Sequence, residues 1–477
     1  MTDHTTEIPL VTREGTILRV PREKVREWSE GLKGEALAPG DEGYEDARLV
    51  WNGMIDVHPS LIVRCEDADD VARTLGFAAD HGARLSIRGG GHNVAGTALV
   101  EGGVVVDLSR MRRVEVDPEA RVARVEGGAT LGDIDRATDP HGLATPTGFV
   151  SQTGIGGLAL RGGLGHRMRA LGLACDNIEA VELVTSDGAV TRVTDGSDPD
   201  LMWAIRGGPL DMGVVTRFEF RLHPVPDEVR LILSAYPAEL GVSVNRLMEE
   251  LLEGAPPELG LISFYVTLPY EEELPSAVRG REVIALFGMY TGPKEDAEDL
   301  LAPIHAHPEL LADLGGWMPY PDAQSAMDEE YPDGMRYYWK SLYLDELTED
   351  LLKTMHRLGR DRVSPHSTLD LWTLGGAVDD VDPERSSFPA RGARYMVAIE
   401  ANWEHAQDDD ANLAWARRAA DELEPYATRG FYLNFAGGRD EQEKAARRLY
   451  EEHMERLESV QRRVDPAGLF TPRSRDG

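Results

Sequence analysis

The sequence predicts an α+β chain with two parts: glycine-rich loops shaped around a ligand, and an antiparallel sheet covered by helices. Three observations carry this expectation. The chain has 477 residues, more than one hydrophobic core usually supports, so two or three domains are expected. A βαβ-like pattern over 59–88 runs straight into three consecutive glycines and a histidine, LSIRGGGHNVAG at 85–96. After Pro226 the texture changes to alternating runs separated by acidic helices, the pattern of strands with segregated helices.

In chain order, residues 1–48 are charged, with a helix expected over 22–32. PSLIVRC (59–65) reads as a buried strand, 66–82 as an amphipathic helix with Val71, Leu75, Phe77 and Ala78 inward, and 84–88 as the closing strand. GGVVVDLSRM (102–111) is another buried strand, followed by two around VEVD and ARVEGG. Thr130 with Asp133 three residues later predicts a capped helix to about Thr138. The stretch 147–172 is glycine-dense, and its interleaved Ile155, Leu158, Leu160 and Leu164 favour a packed wrap over disorder. Strands at 178–185 and 189–194 flank a Ser186-Asp187-Gly188 turn. Beyond 226, strands are expected at 229–236, 260–268, 282–290, 369–374 and 394–403, and helices at 294–303 and 345–358. A last helix is expected from Asp440 to Val464, with Tyr450, Met454, Leu457, Val460 and Val464 on one stripe, stopped by Asp465-Pro466.

The net charge is −34, and 44 of the 50 basic residues are arginine. Such a field repels nucleic acid and anionic membranes and disfavours polyanionic substrates. Two cysteines, Cys65 and Cys175, make no disulfide framework. The N-terminus lacks a basic segment followed by an apolar run, and no stretch has the length of a membrane span, so the cytoplasm is the expected location.

Three glycines in a row allow close backbone approach and leave N–H groups free to converge on phosphate oxygens. Gly154, Gly156 and Ala159 match a dinucleotide fingerprint, G-x-G-x-x-A, but further glycines at 162, 163 and 165 do not suit the helix it must open. A nicotinamide Rossmann site is therefore not expected. Taken alone, His92 is a loop histidine or phosphate donor, Cys175 a small buried residue, and Cys65 a structural strand residue.

Together the motifs say more. SIRGGGHNVAG, VVVDLSRM, HGLATPTG, GIGGLALRGGLG, GLACDN, LMWAIRGG, GVVTRFEFRLHPV, YLNF and VDPAGLF resemble, in order, the FAD-linked oxidoreductases of the vanillyl-alcohol-oxidase type, in their berberine-bridge-enzyme-like branch. The resemblance spans about residues 45–470, and YYWKSLY (337–343) and SFPAR (387–391) are similar to that branch's substrate-domain signatures. It implies a two-subdomain PCMH-type FAD-binding domain over 1–225, completed by 426–477, around an α+β substrate domain over 226–425.

It also implies FAD held by Arg88, Gly89, Gly90, Gly91, His92, Asn93, Gly96, Gly148, Thr153, Gly154, Gly156, Gly157, Gly163, Cys175, Asp176, Asn177, Gly213, Val214, Val215, Tyr432 and Asn434. In the family the matching histidine is joined to the flavin 8α carbon and the matching cysteine to C6, so a doubly tethered FAD is implied. The implied reaction is hydride transfer from a C–OH or C–N centre to flavin N5, with Tyr432 as base and Asn434 beside it. Phe435 stands where relatives carry a second tyrosine. Implied substrates are a sugar or oligosaccharide, a phenolic or secondary-metabolite alcohol, or an amine, with O2 as acceptor. A dehydrogenase with another acceptor and an FAD-binding protein without turnover are the rivals.

Lys340 and Arg391 are secondary candidates for pocket charge, and Tyr337, Trp339, Trp372 and Trp403 for stacking. No metal is implied, and the chain is expected as a monomer or homodimer. One departure stands out: Pro209-Leu210-Asp211-Met212 replaces a neutral glycine–asparagine loop. If this loop lies against the flavin as in relatives, the Asp211 anion would disfavour the flavin's reduced, negatively charged form.

Overall fold

The computed structural model describes residues 6–438 and 446–470. The first sheet has four strands in the order Glu35–Leu37, Leu61–Arg64, Val104–Asp107 and Leu85–Arg88, the last three parallel. Helix Ala68–Asp80 starts on Asp67, whose carboxylate accepts the Asp70 amide, and lays Val71, Leu75 and Ala78 against Leu61, Val63, Val104 and Val106. The buried apolar strands and this helix form the parallel unit expected from the sequence, and its last strand delivers the chain into the Gly89–Gly91 turn.

A five-stranded antiparallel sheet follows, in the order Val190–Thr194, Ile178–Val184, Val214–Arg221, Val122–Glu126 and Val114–Asp117. The Thr130–Asp133 capping box is formed at helix Leu131–Thr138.

Between residues 228 and 403 lies an eight-stranded antiparallel sheet. The five strands expected there are present as Glu228–Pro237, Leu259–Thr267, Glu282–Tyr290, Thr368–Thr373 and Tyr395–Trp403. Arg336–Leu344 adds an edge strand that the sequence reading recorded only as a motif. Helices Gly241–Leu252, Glu349–Arg360 and Asp409–Leu423 cover one face, packing Val244, Met248, Leu352, Met355 and Trp415 on Leu369, Leu371, Val397 and Ile399. Side chains alternate along a strand, so Asp370 and Trp372 point to the opposite face from Leu369 and Leu371. That opposite face borders the cavity described below.

Several expectations need correction. The helix from Arg22 ends at Ser29 instead of 32, where the chain tightens as the Gly31 amide turns back to the Trp28 carbonyl. A hairpin of Glu7–Val11 and Ile17–Pro21 was not anticipated. Gly154 does open a helix, but one of six residues, Ile155–Leu160, closed by Gly162 and Gly163 at φ +114° and +85°. The Asp440 start of the last helix lies outside the described residues. Its described parts are a helical turn over 446–449 and helix Glu451–Val464, separated by a turn at Tyr450, whose hydroxyl donates to the Gly207 carbonyl at 2.6 Å.

The glycine loop and the 147–172 segment meet backbone to backbone. A Cβ on Gly90 would lie 2.4 Å from the Gly154 nitrogen, and one on Gly154 would lie 2.2 Å from the Gly90 nitrogen. Neither neighbour is a flexible side chain that could give way. Gly90→Ala should therefore cost about 1–3 kcal/mol, as overpacking does. Gly76→Ala, in a helix with open space around it, should be neutral or stabilising by up to ~1 kcal/mol. Urea unfolding of both variants checks the contrast.

Candidate active site

A cavity of about 1710 Å³ runs from the glycine loops to the bare face of the eight-stranded sheet. That exceeds the roughly 300–1,000 Å³ of a single-ligand pocket, so it has room for a large cofactor and a second molecule. At one end the amides of Gly90, Gly91, His92 and Asn93 have no acceptor among the described residues. Gly157, on the short helix, faces the cavity, and a Cβ there would meet nothing within 4 Å.

His92 stands where the glycine loop meets the sheet. Its ring stacks on Trp51 at 5.0 Å, and Trp51 stacks in turn on Tyr337 at 3.6 Å. Asn52 stitches the same junction: its amide donates to the Val94 and Tyr337 carbonyls at 2.7 and 2.9 Å, and its carbonyl accepts the Tyr337 amide at 3.1 Å. Burial pushes the His92 imidazole down to about 4, so the ring is neutral at pH 7, with a lone pair free on one nitrogen. Thr153 Oγ1 lies 3.5 Å from Nδ1.

Tyr432 and Asn434 form a second cluster on the cavity wall. The Tyr432 oxygen accepts N–H bonds from Gly163 (3.1 Å), Leu164 (3.4 Å) and Asn434 Nδ2 (2.9 Å). These donors favour the phenolate, but burial outweighs them and raises the phenol to about 12. Phe435 packs edge-on against both Trp339 and Trp372, at 4.9 and 5.7 Å.

Sequence reasoning missed a buried carboxylate pair. Thr368 pairs with Glu400 and Asp370 with Ala398 across adjacent strands, so Asp370 and Glu400 are diagonal neighbours on the cavity face. Burial raises both, Asp370 to about 7 and Glu400 well above the usual range with the Asp370 charge adding to the rise, which favours one proton held by the pair. The Tyr331 hydroxyl donates to Glu400 Oε2 at 2.8 Å. The legible signal was the alternation in TLDLWT, which puts one acid among apolar residues of a strand predicted to be half-buried.

Of the expected cofactor residues, Gly89–Asn93, Gly148, Thr153, Gly154, Gly156, Gly157, Gly213, Val215, Tyr432 and Asn434 line the cavity. Arg88, Gly96, Gly163, Cys175, Asp176, Asn177 and Val214 do not. Each of the second group is engaged elsewhere. Arg88 donates to the Ala47 carbonyl, and Gly96 turns at φ +68° against Ile55. Gly163 holds Tyr432, and Val214 is core beside Val184. Asp176 binds Arg391 at 2.5 Å, which also removes Arg391 as a free pocket charge. Asn177 bonds the Leu171 and Leu173 carbonyls and His223.

Cys175 is fully buried one layer behind the wall. Its amide donates to Gly162 O at 2.8 Å and its thiol lies 3.5 Å from Asp176 Oδ1; burial and Asp176 push the thiol well up. Of the candidate stacking rings, Trp339 and Trp372 line the cavity, whereas Trp403 is buried on Asp409. The Asp211 concern is answered by pairing: Arg161 meets its carboxylate at 3.1 Å and the Gly208 carbonyl at 3.0 Å.

A family model described as an FAD binding domain matches residues 59–194. Over 94% of this chain and 95% of its own length, an FAD-linked oxidoreductase of Dictyostelium discoideum is 29% identical. The crystal structure of 6-hydroxy-D-nicotine oxidase from Arthrobacter nicotinovorans superposes with a TM-score of 0.82 at 28% identity, covering 93% of this chain and 97% of that one. Residues 59–194 thus match an FAD-binding domain, and over most of its length the chain is similar to FAD-linked oxidoreductases. Chitooligosaccharide oxidase shares the fold at a TM-score of 0.82 and 20% identity, covering 94% and 98%.

The cavity fits FAD on its own terms. Unpaired amides at 90–93 suit a pyrophosphate, and Arg13, Arg84, Arg161, Arg447 and Arg462 line the cavity for its charge. Gly157 offers a test that separates fold from cofactor. Gly157→Leu adds a side chain to open space and removes a helical glycine, so the protein should stay as stable as the parent or gain up to ~1 kcal/mol. Its FAD content after purification should fall sharply. Unchanged FAD content, measured by absorbance against protein, would contradict this placement.

Proposed function

We propose that this FAD-linked oxidoreductase oxidises a C–OH or C–N centre of a small organic molecule, with FAD tethered at His92 and Cys175 and O2 as the acceptor. One observation carries the reading: a single cavity joins the free amides of the glycine loop to a pocket of aromatic and carboxylate side chains, with His92 at the junction. Bound FAD supplies the hydride-accepting chemistry. The relatives' own names include a nicotine-derivative oxidase and a sugar oxidase, which bracket the substrate classes without choosing between them.

The chain's residues have the following roles in this reading. His92, kept neutral by burial and held face-on by Trp51, is the nucleophile for the first tether. Cys175 needs to lose both its Asp176 contact and its thiol proton before it can bond, so its tether follows the one at His92. Tyr432, as the phenolate that Asn434 and the Gly163 and Leu164 amides stabilise, would take the proton leaving the substrate and become the neutral phenol. The aromatic ring of Phe435, wedged against Trp339 and Trp372, keeps water from this proton transfer. Two unpaired buried cysteines suit a reducing cytoplasm, and no helix among the described residues is long and apolar enough to cross a membrane.

A base whose phenol sits near 12 is ionised in a fraction that grows with pH throughout the neutral range. Flavin reduction by substrate, followed by anaerobic stopped flow, should therefore speed up by about tenfold per pH unit from roughly pH 7 to pH 10. Tyr432→Phe should flatten that profile and slow the step by about 10²–10⁴-fold. A flat profile in the parent enzyme would remove Tyr432 from the proton transfer.

A further inference from the structure

The cavity has two electrostatic halves. Residues 226–425 contribute six formally charged side chains to its lining: Glu271, Glu329, Glu330, Asp370, Glu400 and Glu404. All are carboxylates. The arginines that line the cavity, Arg13, Arg84, Arg161, Arg447 and Arg462, all come from the rest of the chain, which also contributes Asp211 and Glu458. An anionic cofactor accounts for the second half. Nothing in the flavin accounts for the first.

The acidic half has a built centre. Asp370 is 5% exposed, and its Oδ1 has no hydrogen-bond partner while Oδ2 accepts the Trp372 indole N–H at 3.4 Å. Glu400, 2% exposed, keeps Oε2 on the Tyr331 hydroxyl. The cation nearest in effect, Arg362, is engaged with Glu282 at 3.5 Å and with the Gly359 carbonyl, and it lies outside the lining. His366 lines the cavity but pairs with Glu404 at 3.5 Å. Among the described residues neither acid forms an ion pair with a lysine, arginine or histidine, and Arg362 acts on Asp370 only from a distance. Around the pair stand Trp339, Trp372 and Phe435; Phe435 meets the two indoles edge-to-face at 72° and 81°, so it stacks face-on against neither.

We infer that the sheet end of the cavity recognises a cationic amine, whose ammonium group is received by the Asp370–Glu400 pair and the faces of Trp339 and Trp372. Carboxylate and aromatic face together are the chemistry that selects an ammonium over a neutral hydroxyl. In the empty cavity burial makes the two acids share a proton; an incoming ammonium supplies the charge that burial denies them. A neutral sugar could donate the same hydrogen bonds but would leave the charge uncompensated. This inference rests on the reading of the cavity as the substrate site and narrows its substrate class from alcohols and amines to amines.

The test is calorimetric titration of the FAD-loaded protein, without oxygen, using benzylammonium, benzyl alcohol and benzoate as probes of one shape and three charges. Benzylammonium should bind at least about tenfold more tightly than benzyl alcohol, a difference of ~1.4 kcal/mol, and benzoate should give no heat. Asp370→Asn and Glu400→Gln, each checked for folding by circular dichroism, should bring the benzylammonium-to-alcohol ratio to within about twofold. Equal binding of the two probes by the parent protein overturns the inference whether or not the variants fold. A tenfold preference that survives both substitutions overturns the assignment to this pair. Because heat is read, not turnover, a protein that binds benzylammonium yet never bleaches its flavin would fail the oxidoreductase reading while leaving this one standing.

Discussion

Gly90 and Gly154 touch backbone to backbone, at a separation that leaves no room for a methyl group on either. That contact sets the shape of everything beside it. It pins the start of the Ile155–Leu160 helix against the turn that follows strand Leu85–Arg88, and it leaves the amides of 90–93 without an acceptor among the described residues. Buried or half-buried donors facing a cavity suit a ligand that supplies oxygens. Trp51 and Asn52 then tie the far end of the same loop to strand Arg336–Leu344, which fixes His92 relative to the sheet. The cofactor end and the substrate end of the cavity are thus joined through a few contacts of high specificity.

The sheet contributes something different. Its strands bury one face under three helices and leave the other bordering a cavity, and on that face a proton-sharing pair of acids is held among aromatic rings. Such a pair lowers the stability of the empty protein, since both acids would ionise freely in the unfolded chain. Its raised carboxyls mean the folded form binds more protons, so this penalty is absent at low pH and develops as pH rises from the ordinary carboxylate range towards about 7. A fold does not need such a feature. A ligand of opposite charge is the simplest physical reason for it.

Much of this was legible in the residues. The βαβ unit, the 130–133 cap, the 178–194 hairpin and five strands of the large sheet follow from periodicity and turn chemistry, which act locally. The glycine run before His92 announced a close ligand, and the ordered motifs named the cofactor. What escaped depends on tertiary packing. Gly241–Leu252 and Asp409–Leu423 have polar stretches that hide their buried stripes. Asp370 and Glu400 lie 30 positions apart in sequence and become a pair only through strand register. Cys175 was grouped with His92 by motif, yet its side chain turns to Asp176 behind the wall, because the Gly162 and Gly163 backbone stands between it and the cavity.

The central claim is that flavin is bonded to the polypeptide at the glycine loop. Trypsin digestion of the acid-denatured protein tests it directly, because His92 falls in the peptide Gly89–Arg110 and Cys175 in Ala170–Arg192. The account predicts one flavin-bearing species in which these two peptides travel together, joined through the cofactor. Both peptides at their unmodified masses, with all flavin in the acid supernatant, would contradict it.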